Sequence, residues 1–260
     1  MLQEERYERI LALLREKRHL TLQNVLDTLP VSSSTARRDF RTLVERNLAK
    51  RSRGGISVPT GDSDHGNIPF ELRSVTYAEE KEKLALAAVP LLHPHDTIYM
   101  DGGTTTLQLA RRLPNFPLTV ITNSLPHITV MVDSHRDNSN LEIYTAGGYV
   151  YPAWNVNLGP QTRYCLSQYH AQCAFLSARG IDESGVYNHN ELVVEVERTM
   201  IENADRVVFL MDHSKIGERS LSFVCELNRI DSFITSSHTK NKSLLNTIRA
   251  AGVHVIEVDT

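Results

Sequence analysis

The sequence contains few cysteines and no long apolar run. Its three cysteines, Cys165, Cys173 and Cys225, are odd in number and their spacing matches no disulfide framework, which favours a reducing, cytoplasmic setting. No apolar run approaches the roughly 18 residues of a membrane-spanning helix, and the charged start MLQEERYERI lacks the apolar core of a secretory signal. We therefore expect a cytoplasmic protein that does not bind a membrane.

Residue groupings that hold metals or cofactors are also scarce. His93 and His95 resemble a metal-binding pair but have no obvious third ligand, and His170 near Cys173 is equally isolated. The glycine-containing stretch at 101–106 lacks the G-K-[ST] ending of a P-loop. We predict no metal site and no cofactor.

The net charge of −3 hides two segments of opposite sign. Residues 1–60 carry 12 Lys and Arg against 7 Asp and Glu, a net +5, whereas residues 61–260 carry 16 against 24, a net −8. A basic segment attached to an acidic body suggests that only the first segment contacts a polyanion. On charge alone, chance clustering is an equally good explanation.

Three helical patterns precede a Gly- and Ser-rich segment at 54–67. Apolar residues at spacings of three and four predict an amphipathic first helix over 6–16. Thr21 can cap a second helix and Ser32 a third, because a hydroxyl before a helix accepts a hydrogen bond from a first-turn N–H. The same spacing predicts the buried face of the third helix, which comprises Ala36, Phe40, Leu43 and Val44.

The remaining face of the third helix suits reading of the DNA major groove. Short hydroxyls in the first turn allow close approach, and arginines contact guanine edges or phosphates. A basic turn with two glycines follows and predicts a wing that lies along the backbone of the DNA. We expect Asp39 to orient an arginine, and an ordinary three-helix subdomain with a solvated basic face is the alternative. The predicted DNA-binding residues are Ser33, Ser34, Thr35, Arg37, Arg38, Arg41, Arg51 and Arg53.

The rest of the chain alternates apolar strand-like runs with amphipathic helices. This alternation predicts βαβ units around a mostly parallel sheet. We therefore predict an α/β protein with a winged helix-turn-helix at 1–58, a linker at 59–76 and an α/β sensor domain at 77–260. The predicted strands are 97–101, 119–122, 142–145, 174–177, 207–212, 233–235 and 254–258, and the predicted helices are 79–92, 106–113, 124–133, 192–203 and 243–251.

Polar residues follow several of the predicted strands. The run Asp101-Gly-Gly-Thr-Thr-Thr lies between a strand and a helix, where glycines, hydroxyls and helix N–H groups suit a phosphate. A plain glycine turn with a threonine cap is the alternative. In an open α/β sheet, ligands bind at the carboxyl ends of the strands. The predicted effector-binding residues at these ends are Asp101, Gly103, Thr104, Thr105, Thr106, Asn123, Gly147, Gly148, Asp182, Asp212 and Lys215.

Residues 6–55 resemble the DNA-binding segment of the DeoR family of bacterial sugar-operon regulators. The run VSSSTARRDFRTLVERNLAKRSRGG carries this resemblance, and Ala36 replaces the bulkier aliphatic residue that is usual there. The sensor domain of the same family is matched by EEKEKLALAA, DGGTTT, ITNS, the AGG at 146–148, the Gly-Pro at 159–160, the GID at 180–182 and DHSKIGE at 212–218.

The resemblance implies a sensor similar in fold to ribose-5-phosphate isomerase. It also implies a repressor of a carbohydrate transport or catabolism operon, which a phosphorylated sugar releases from its operator DNA. Because one helix-turn-helix contacts limited DNA, we expect a homo-oligomer, either a dimer or a tetramer.

Two other functions stay open at this point. GIDESG at 180–185 loosely resembles a motif of ribose-5-phosphate isomerases, and Glu195 or Glu197 could correspond to their catalytic base. The second candidate function is therefore a sugar-phosphate isomerase-like enzyme fused to a DNA-binding module. Aldose–ketose isomerisation needs a positioned acid and base, and no lysine lies between Asp182 and Lys215. We therefore expect binding without turnover and no catalytic residues. A regulator that responds to a partner protein is the third reading.

Overall fold

The computed structural model describes residues 3–46, 48–58, 70–134, 140–237 and 242–259. The chain divides into two compact units, and the boundary lies between Ala78 and Glu79. Residues 59–69 of the predicted linker lie outside the described residues. A helix over Phe70–Val75 occupies the rest of that stretch, and its Leu72 is fully buried in the core of the first unit.

The first unit packs helices against a small antiparallel sheet with strand order β1-β3-β2. The third helix buries Ala36, Phe40 and Leu43, as the spacing of apolar residues predicts. The elements of this unit are α1 (Gln3–Lys17), β1 (His19–Thr21), α2 (Leu22–Thr28), α3 (Ser33–Glu45), β2 (Lys50–Ser52), β3 (Gly55–Ser57) and α4 (Phe70–Val75).

Both predicted helix caps are confirmed. The Thr21 hydroxyl accepts from the Asn24 N–H at 3.2 Å, and the Asn24 side chain accepts from the Thr21 N–H at 3.0 Å, which completes a capping box. The Ser32 hydroxyl accepts from the Thr35 N–H at 3.2 Å. The predicted wing is a three-stranded sheet, because β1 pairs with β3 beside β2. A side chain at Gly55 would meet the Leu20 carbonyl oxygen at 1.8 Å, so this crossing requires glycine.

The second unit is built on a seven-stranded, entirely parallel sheet with the order β15-β14-β12-β9-β4-β5-β6. Its helices are α5 (Ala78–Ala88), α6 (Thr104–Ala110), α7 (Leu125–Ser134), α8 (Pro160–Ser167), α9 (Glu191–Glu202) and α10 (Lys242–Ala250). Its strands are β4 (Thr97–Met100), β5 (Leu118–Thr122), β6 (Leu141–Thr145), β7 (Tyr149–Tyr151), β8 (Val156–Leu158), β9 (Cys173–Leu176), β10 (Gly180–Asp182), β11 (Gly185–Asn188), β12 (Val207–Leu210), β13 (Ser222–Cys225), β14 (Ser232–Ser236) and β15 (His254–Val258).

The five inner strands of the large sheet are buried on both faces, whereas the edge strands β6 and β15 are partly exposed. On β4, Tyr99 belongs to one hydrophobic cluster, while its neighbours Ile98 and Met100 belong to the other. This arrangement explains why the strand sequences are continuously apolar rather than alternating, and it confirms the predicted α/β architecture. Among the described residues, no helix is long and apolar enough to cross a membrane.

The strand order reverses between β4 and β9. From β4 the chain proceeds outward through β5 and β6, then returns to β9 beside β4 and proceeds outward on the other side through β12, β14 and β15. Ligands of open α/β sheets bind at the carboxyl ends of the strands where this reversal occurs. The run Asp101–Thr106 directly follows β4 and therefore lies at the position that the topology marks for a ligand.

Candidate functional sites

The basic side chains of α3 lie on its exposed face. Arg37, Arg38 and Arg41 are exposed, while the intervening Phe40 is buried against the rest of the unit. Ser33 and Ser34 are also exposed in the first turn, and Thr35 is half-buried. The Ser32 hydroxyl contacts the Ser34 Oγ at 2.9 Å and the Thr35 Oγ1 at 2.8 Å. The helix thus presents a hydrogen-bonded group of hydroxyls and a row of arginines to solvent.

Asp39 orients an arginine, but not one of its neighbours on α3. Its carboxylate is buried and accepts two hydrogen bonds from Arg6 of α1, from Nε at 2.8 Å and from a terminal nitrogen at 3.0 Å. Consecutive helical residues point about 100° apart, so Asp39 faces α1 while Arg38 faces solvent. The ion pair therefore fixes α3 on α1 and leaves the arginines of the exposed face available.

The wing adds two more exposed cations. Arg51 on β2 and Arg53 in the following turn are both exposed. Gly54 has a φ of +79°, which favours glycine and allows the tight turn between β2 and β3. All the arginines predicted to contact DNA are therefore exposed, in the arrangement that a winged helix-turn-helix requires.

In the second unit, Asp101 builds the loop that follows β4. One carboxylate oxygen accepts from the Gly103 N–H at 3.1 Å and from the Thr106 hydroxyl at 2.8 Å, and the other accepts from the Ser177 N–H at 2.9 Å. Ser177 directly follows β9, so the carboxylate joins the two strand ends at the reversal. Asp101 is one of the predicted effector-binding residues, and these contacts show that its carboxylate holds the loop in place.

The three threonines form the first turn of α6 rather than a loop before it. The helix begins at Thr104, after Gly103 in extended conformation, and Gly103 has no side chain with which to cap it. Thr105 makes no side-chain hydrogen bond to the described residues, although it is 2% exposed. The first-turn N–H groups and the Thr105 hydroxyl are therefore the donors that this turn offers to a ligand.

Lys81 is a buried cation that the sequence analysis missed. It is 3% exposed, and its Nζ donates to the Thr104 Oγ1 at 3.1 Å. On α5 it precedes the buried residues Leu84, Ala85 and Ala88 by three, four and seven positions, which is the spacing of one helix face. A lysine on an apolar face was the signal that could have identified it. It brings an amine donor to the Thr104–Thr106 turn.

Thr106 belongs to a buried polar network rather than to the donors that the turn offers to a ligand. Its hydroxyl donates to Asp101 and lies 3.1 Å from the His127 Nε2, and the His127 Nδ1 lies 2.6 Å from the Ser124 Oγ. Because the Thr106 hydroxyl has acceptors within the loop, every group of the network is paired when Nε2 carries the imidazole proton and Nδ1 accepts from Ser124. Burial lowers the pKa of His127 to about 3, so the ring is neutral.

We expect His127 to make the second unit acid-sensitive. Its pKa is about 3 in the folded protein and about 6.5 when unfolded, so between these values the unfolded chain binds the extra proton. The contribution of neutral His127 to the free energy of unfolding is therefore fully present above pH 6.5 and is lost as the pH falls toward 3. Between pH 7 and pH 5 the decline is about 2 kcal/mol. Urea unfolding at both pH values should show a smaller decline for His127→Gln, and equal declines in both proteins would contradict this assignment.

Two buried polar atoms near this loop have no partner among the described residues. They are the Asn123 Oδ1, just after β5, and the Glu197 Oε2, on α9. The other Glu197 oxygen accepts from the Asn188 Nδ2 at 2.6 Å. Burial, and then the negative charge of Asp101, raises the pKa of Glu197 well above its usual value. Glu195 points elsewhere, since it lies 3.4 Å from Arg163 in an ion pair.

The ends of β12 and β14 are joined by Glu80, a second buried charge from the start of α5. Its carboxylate accepts from the His213 N–H at 2.7 Å and from the Ser236 hydroxyl at 2.6 Å. Asp212 accepts from the Ser214 N–H at 3.1 Å and so begins the short 3-10 turn that ends at Lys215, which is half-buried. Asp212 and Lys215 follow β12, and Thr104–Thr106 follow β4. Because these strands run parallel, both groups lie on the same edge of the sheet.

Three other predicted effector residues take part in local structure. Asp182 accepts from the Ser184 N–H at 2.8 Å and pairs with Arg219, and although burial opposes it, this pairing holds the pKa of Asp182 below its usual value. The Gly147 carbonyl accepts from the Thr162 hydroxyl at 2.8 Å, and Gly148 has a φ of +142°. These contacts build the β10–β11 hairpin and the connection to α8.

Comparison with known proteins decides the family. The model for the DeoR-like helix-turn-helix domain matches residues 6–61, and the model for the DeoR C terminal sensor domain matches residues 76–237. The chain belongs to the DeoR family. It is a DNA-binding transcriptional regulator rather than an enzyme, like the named regulators that it resembles.

Named DeoR-family relatives match this chain over nearly its full length. The HTH-type transcriptional repressor GlcR of Bacillus subtilis (strain 168) is 34% identical over 256 residues, 98% of this chain and 96% of the relative. The HTH-type transcriptional regulator UlaR of Shigella sonnei (strain Ss046) is 29% identical over 258 residues, 99% of this chain and 100% of the relative.

Solved structures give a more distant match. Ribose 5-phosphate isomerase A from Methanocaldococcus jannaschii aligns over 54% of this chain and 55% of its own, with 19% identity and a TM-score of 0.40.

Among the described residues of this DeoR-family chain, no three His, Cys, Asp or Glu side chains cluster as metal ligands.

Proposed function

We propose that this DeoR-family regulator is a repressor of a carbohydrate transport or catabolism operon and that a phosphorylated sugar controls its affinity for operator DNA. The observation that carries the proposal is the buried Lys81 at the Thr104–Thr106 turn. A buried cation beside hydroxyls at the strand-order reversal suits an anionic ligand. The repressor name of the Bacillus relative supports the sign of regulation.

The phosphate of the effector would bind to Thr104, Thr105 and Lys81. A phosphate monoester carries about −1.5 to −2 charge at neutral pH, so charge-assisted hydrogen bonds stabilise it most. Gly103 would act indirectly, because a side chain there would meet the Ser177 Cβ at 2.9 Å and displace the end of β9. Lys215 and Asp212, at the end of β12 on the same edge, would contact the remainder of the effector. Asp101, Thr106, Gly147, Gly148 and Asp182 would act indirectly, because they build the surrounding loops.

Regulation requires that the effector bind the DNA-competent and DNA-incompetent arrangements with different affinities. We infer that the protein acts as a dimer or tetramer in the cytoplasm, where repeated half-sites would supply enough contact area for specific binding. Each protomer would place its α3 in the major groove and its wing along the DNA backbone.

Replacing Arg38 with alanine is expected to weaken specific operator binding by about 1–3 kcal/mol if this side chain reads a base. Arg51→Ala and Arg53→Ala should weaken specific and non-specific binding together and reduce the salt dependence, because they would contact phosphates. Fluorescence anisotropy at several salt concentrations measures both effects. Arg249→Ala, which removes an exposed charge from α10, is the control and should change neither. Unchanged DNA binding by all three wing and helix variants would contradict the interface.

The effector proposal is tested by titrating protein–operator complexes with sugars and their phosphates. The expected result is dissociation of the DNA by a phosphorylated sugar at a concentration that leaves the complex intact when the free sugar is used. The same phosphate should raise the melting temperature of the protein, since a ligand that binds only the native state stabilises it. Equal responses to a sugar and its phosphate would refute a phosphate-based effector.

A further inference from the structure

The Asp101–Thr106 loop is bordered by two buried acceptor atoms that lack hydrogen-bond partners among the described residues. Asn123 is 4% exposed and Glu197 is 2% exposed, yet the Asn123 Oδ1 and the Glu197 Oε2 make no hydrogen bond there. More than nine in ten buried polar groups in native proteins are paired with protein, water or ligand. Two exceptions beside one loop indicate a bound group that these atoms contact.

The orientation of each atom follows from its neighbours. The Asn123 Nδ2 donates to the Asn157 carbonyl at 3.0 Å, and because a carbonyl only accepts, the amide oxygen must point the other way. The Asn188 side-chain oxygen accepts from the His189 N–H at 2.9 Å, so its nitrogen faces the Glu197 Oε1 and leaves Oε2 as the atom without a partner.

Both atoms lie close to the proposed phosphate-binding turn. Asn123 precedes Ser124, whose Cβ is 3.7 Å from the position that a side chain at Gly102 would take. Asn123 is also bonded to Asn157 of β8, whose neighbour Val156 would lie 2.2 Å from a side chain at Gly102. Glu197 lies on α9, which packs against β8 and against β9, and β9 leads into Ser177, whose N–H donates to Asp101. The two acceptors therefore border the loop on the β5 side and on the α9 side.

We propose that the Asn123 Oδ1 and the Glu197 Oε2 bind hydroxyl groups on the carbon chain of the effector, so that this pair selects a polyhydroxylated phosphate ester over bare phosphate. The inference rests on the proposed function, because it assumes that the phosphate of the same ligand occupies the Thr104–Thr106 turn. It assigns a specificity-determining role to two residues that do not contact the phosphate.

A hydroxyl fits this pair better than other groups do. An amide oxygen only accepts, so Asn123 requires a donor. A second anionic group would meet the carboxyl of Glu197 and the charge of Asp101. A hydroxyl both donates and accepts, and so it can pair with Glu197 whether that carboxyl is protonated or ionised. An apolar chain would leave both acceptors unpaired, at a cost in affinity.

The test measures ligand affinity of the full chain by calorimetry with inorganic phosphate, glycerol 3-phosphate, ribose 5-phosphate and glucose 6-phosphate, each sugar also without its phosphate. Glu197→Leu and Asn123→Ala should each weaken the tightest-binding sugar phosphate by about tenfold or more and leave inorganic phosphate within about twofold. Glu195→Leu, on the same helix but paired with Arg163, is the matched control and should bind like the wild type. Asn123→Ala keeps the test decisive if Glu197→Leu fails to fold.

Three outcomes are decisive. Unchanged sugar-phosphate affinity in both variants would mean that only water occupies these atoms and would overturn the inference while phosphate binding stands. Equal weakening of phosphate and sugar phosphate would also overturn it, because the two residues would then only support the loop. If free sugar binds the wild type as tightly as its phosphate and Glu197→Leu abolishes this binding, hydroxyl recognition stands and the phosphate assignment fails.

Discussion

Replacing Arg6 with methionine is expected to lower the local stability of the DNA-binding unit by about 2–3 kcal/mol. Arg6 is the ion-pair partner of Asp39, whose side chain is 1% exposed, whereas that of Arg6 is 15% exposed. Loss of one member of a buried pair costs about 3–5 kcal/mol because the other charge is left uncompensated. Partial solvent access to Arg6 reduces this figure. Hydrogen exchange in the full chain should show amides of α3 exchanging about 30- to 150-fold faster.

The matched control for this prediction is Arg9→Met on the same helix. Arg9 pairs with Glu5 at 2.8 Å, but both side chains are about half exposed, and such surface pairs contribute less than about 1 kcal/mol. Similar exchange rates in the two variants would show that the Arg6–Asp39 pair does not hold α3 on α1. Operator affinity should fall with Arg6→Met as well, because α3 carries the residues proposed to read DNA.

The large parallel sheet could be predicted because its strands leave a strong local signal. A run such as Val207–Leu210 is buried on both faces and is therefore continuously apolar. The short antiparallel elements leave no such signal. The hairpin β10–β11 contains seven residues in strands, among them a glycine at each strand start, and its pairing depends on distant contacts such as that of Gly180 with the Glu218 backbone. The helix at Phe70–Val75 is equally short and follows a segment without apolar periodicity.

The sequence predicts where the candidate site lies, but it predicts only some of the side chains that have groups free to contact a ligand. Residue types at strand ends identified the Asp101–Thr106 run, because parallel strands bring their carboxyl ends to one edge. The sequence could not reveal which atoms are already paired. The Asp101 carboxylate accepts hydrogen bonds within the loop, and the Thr106 hydroxyl contacts Asp101 and His127. The Thr105 hydroxyl makes no such bond to the described residues. That distinction depends on side-chain directions that only the folded chain defines.

The cation of the site was missed for a related reason. The rule that ligands bind after parallel strands selects Lys215, which follows β12. Lys81 lies on a helix that precedes the first strand of the large sheet, in a run where Lys83 has the same side chain but is exposed. In the sequence, the two lysines differ only in that Lys81 precedes Leu84 and Ala85 by three and four residues, which places it on the same helix face. Helix phase was therefore the available information, and it requires knowing which face of α5 packs on the sheet.

Lys81→Met is expected to abolish most of the response to the effector. Lys81 is 3% exposed and donates to the Thr104 Oγ1, so a phosphate bound at this turn would meet a charged donor that solvent screens little. Hydrogen bonds to charged groups contribute about 1.5–3 kcal/mol, which corresponds to roughly 10- to 100-fold in affinity. Calorimetry should show this loss for sugar phosphates and for inorganic phosphate alike. In cells the variant should hold the operon repressed when inducer is present.

Lys83→Met is the matched control, because it removes the same charge from the exposed side of the same helix. It should bind effector like the wild type. Both variants should bind operator DNA with wild-type affinity in the absence of effector, since the proposed DNA-binding residues all precede the linker. If Lys81→Met lowered the melting temperature and left phosphate affinity unchanged, Lys81 would only support α5 against Thr104. The phosphate would then have to bind elsewhere on this edge of the sheet, where Lys215 is the next candidate, and Lys215→Met would separate the two sites.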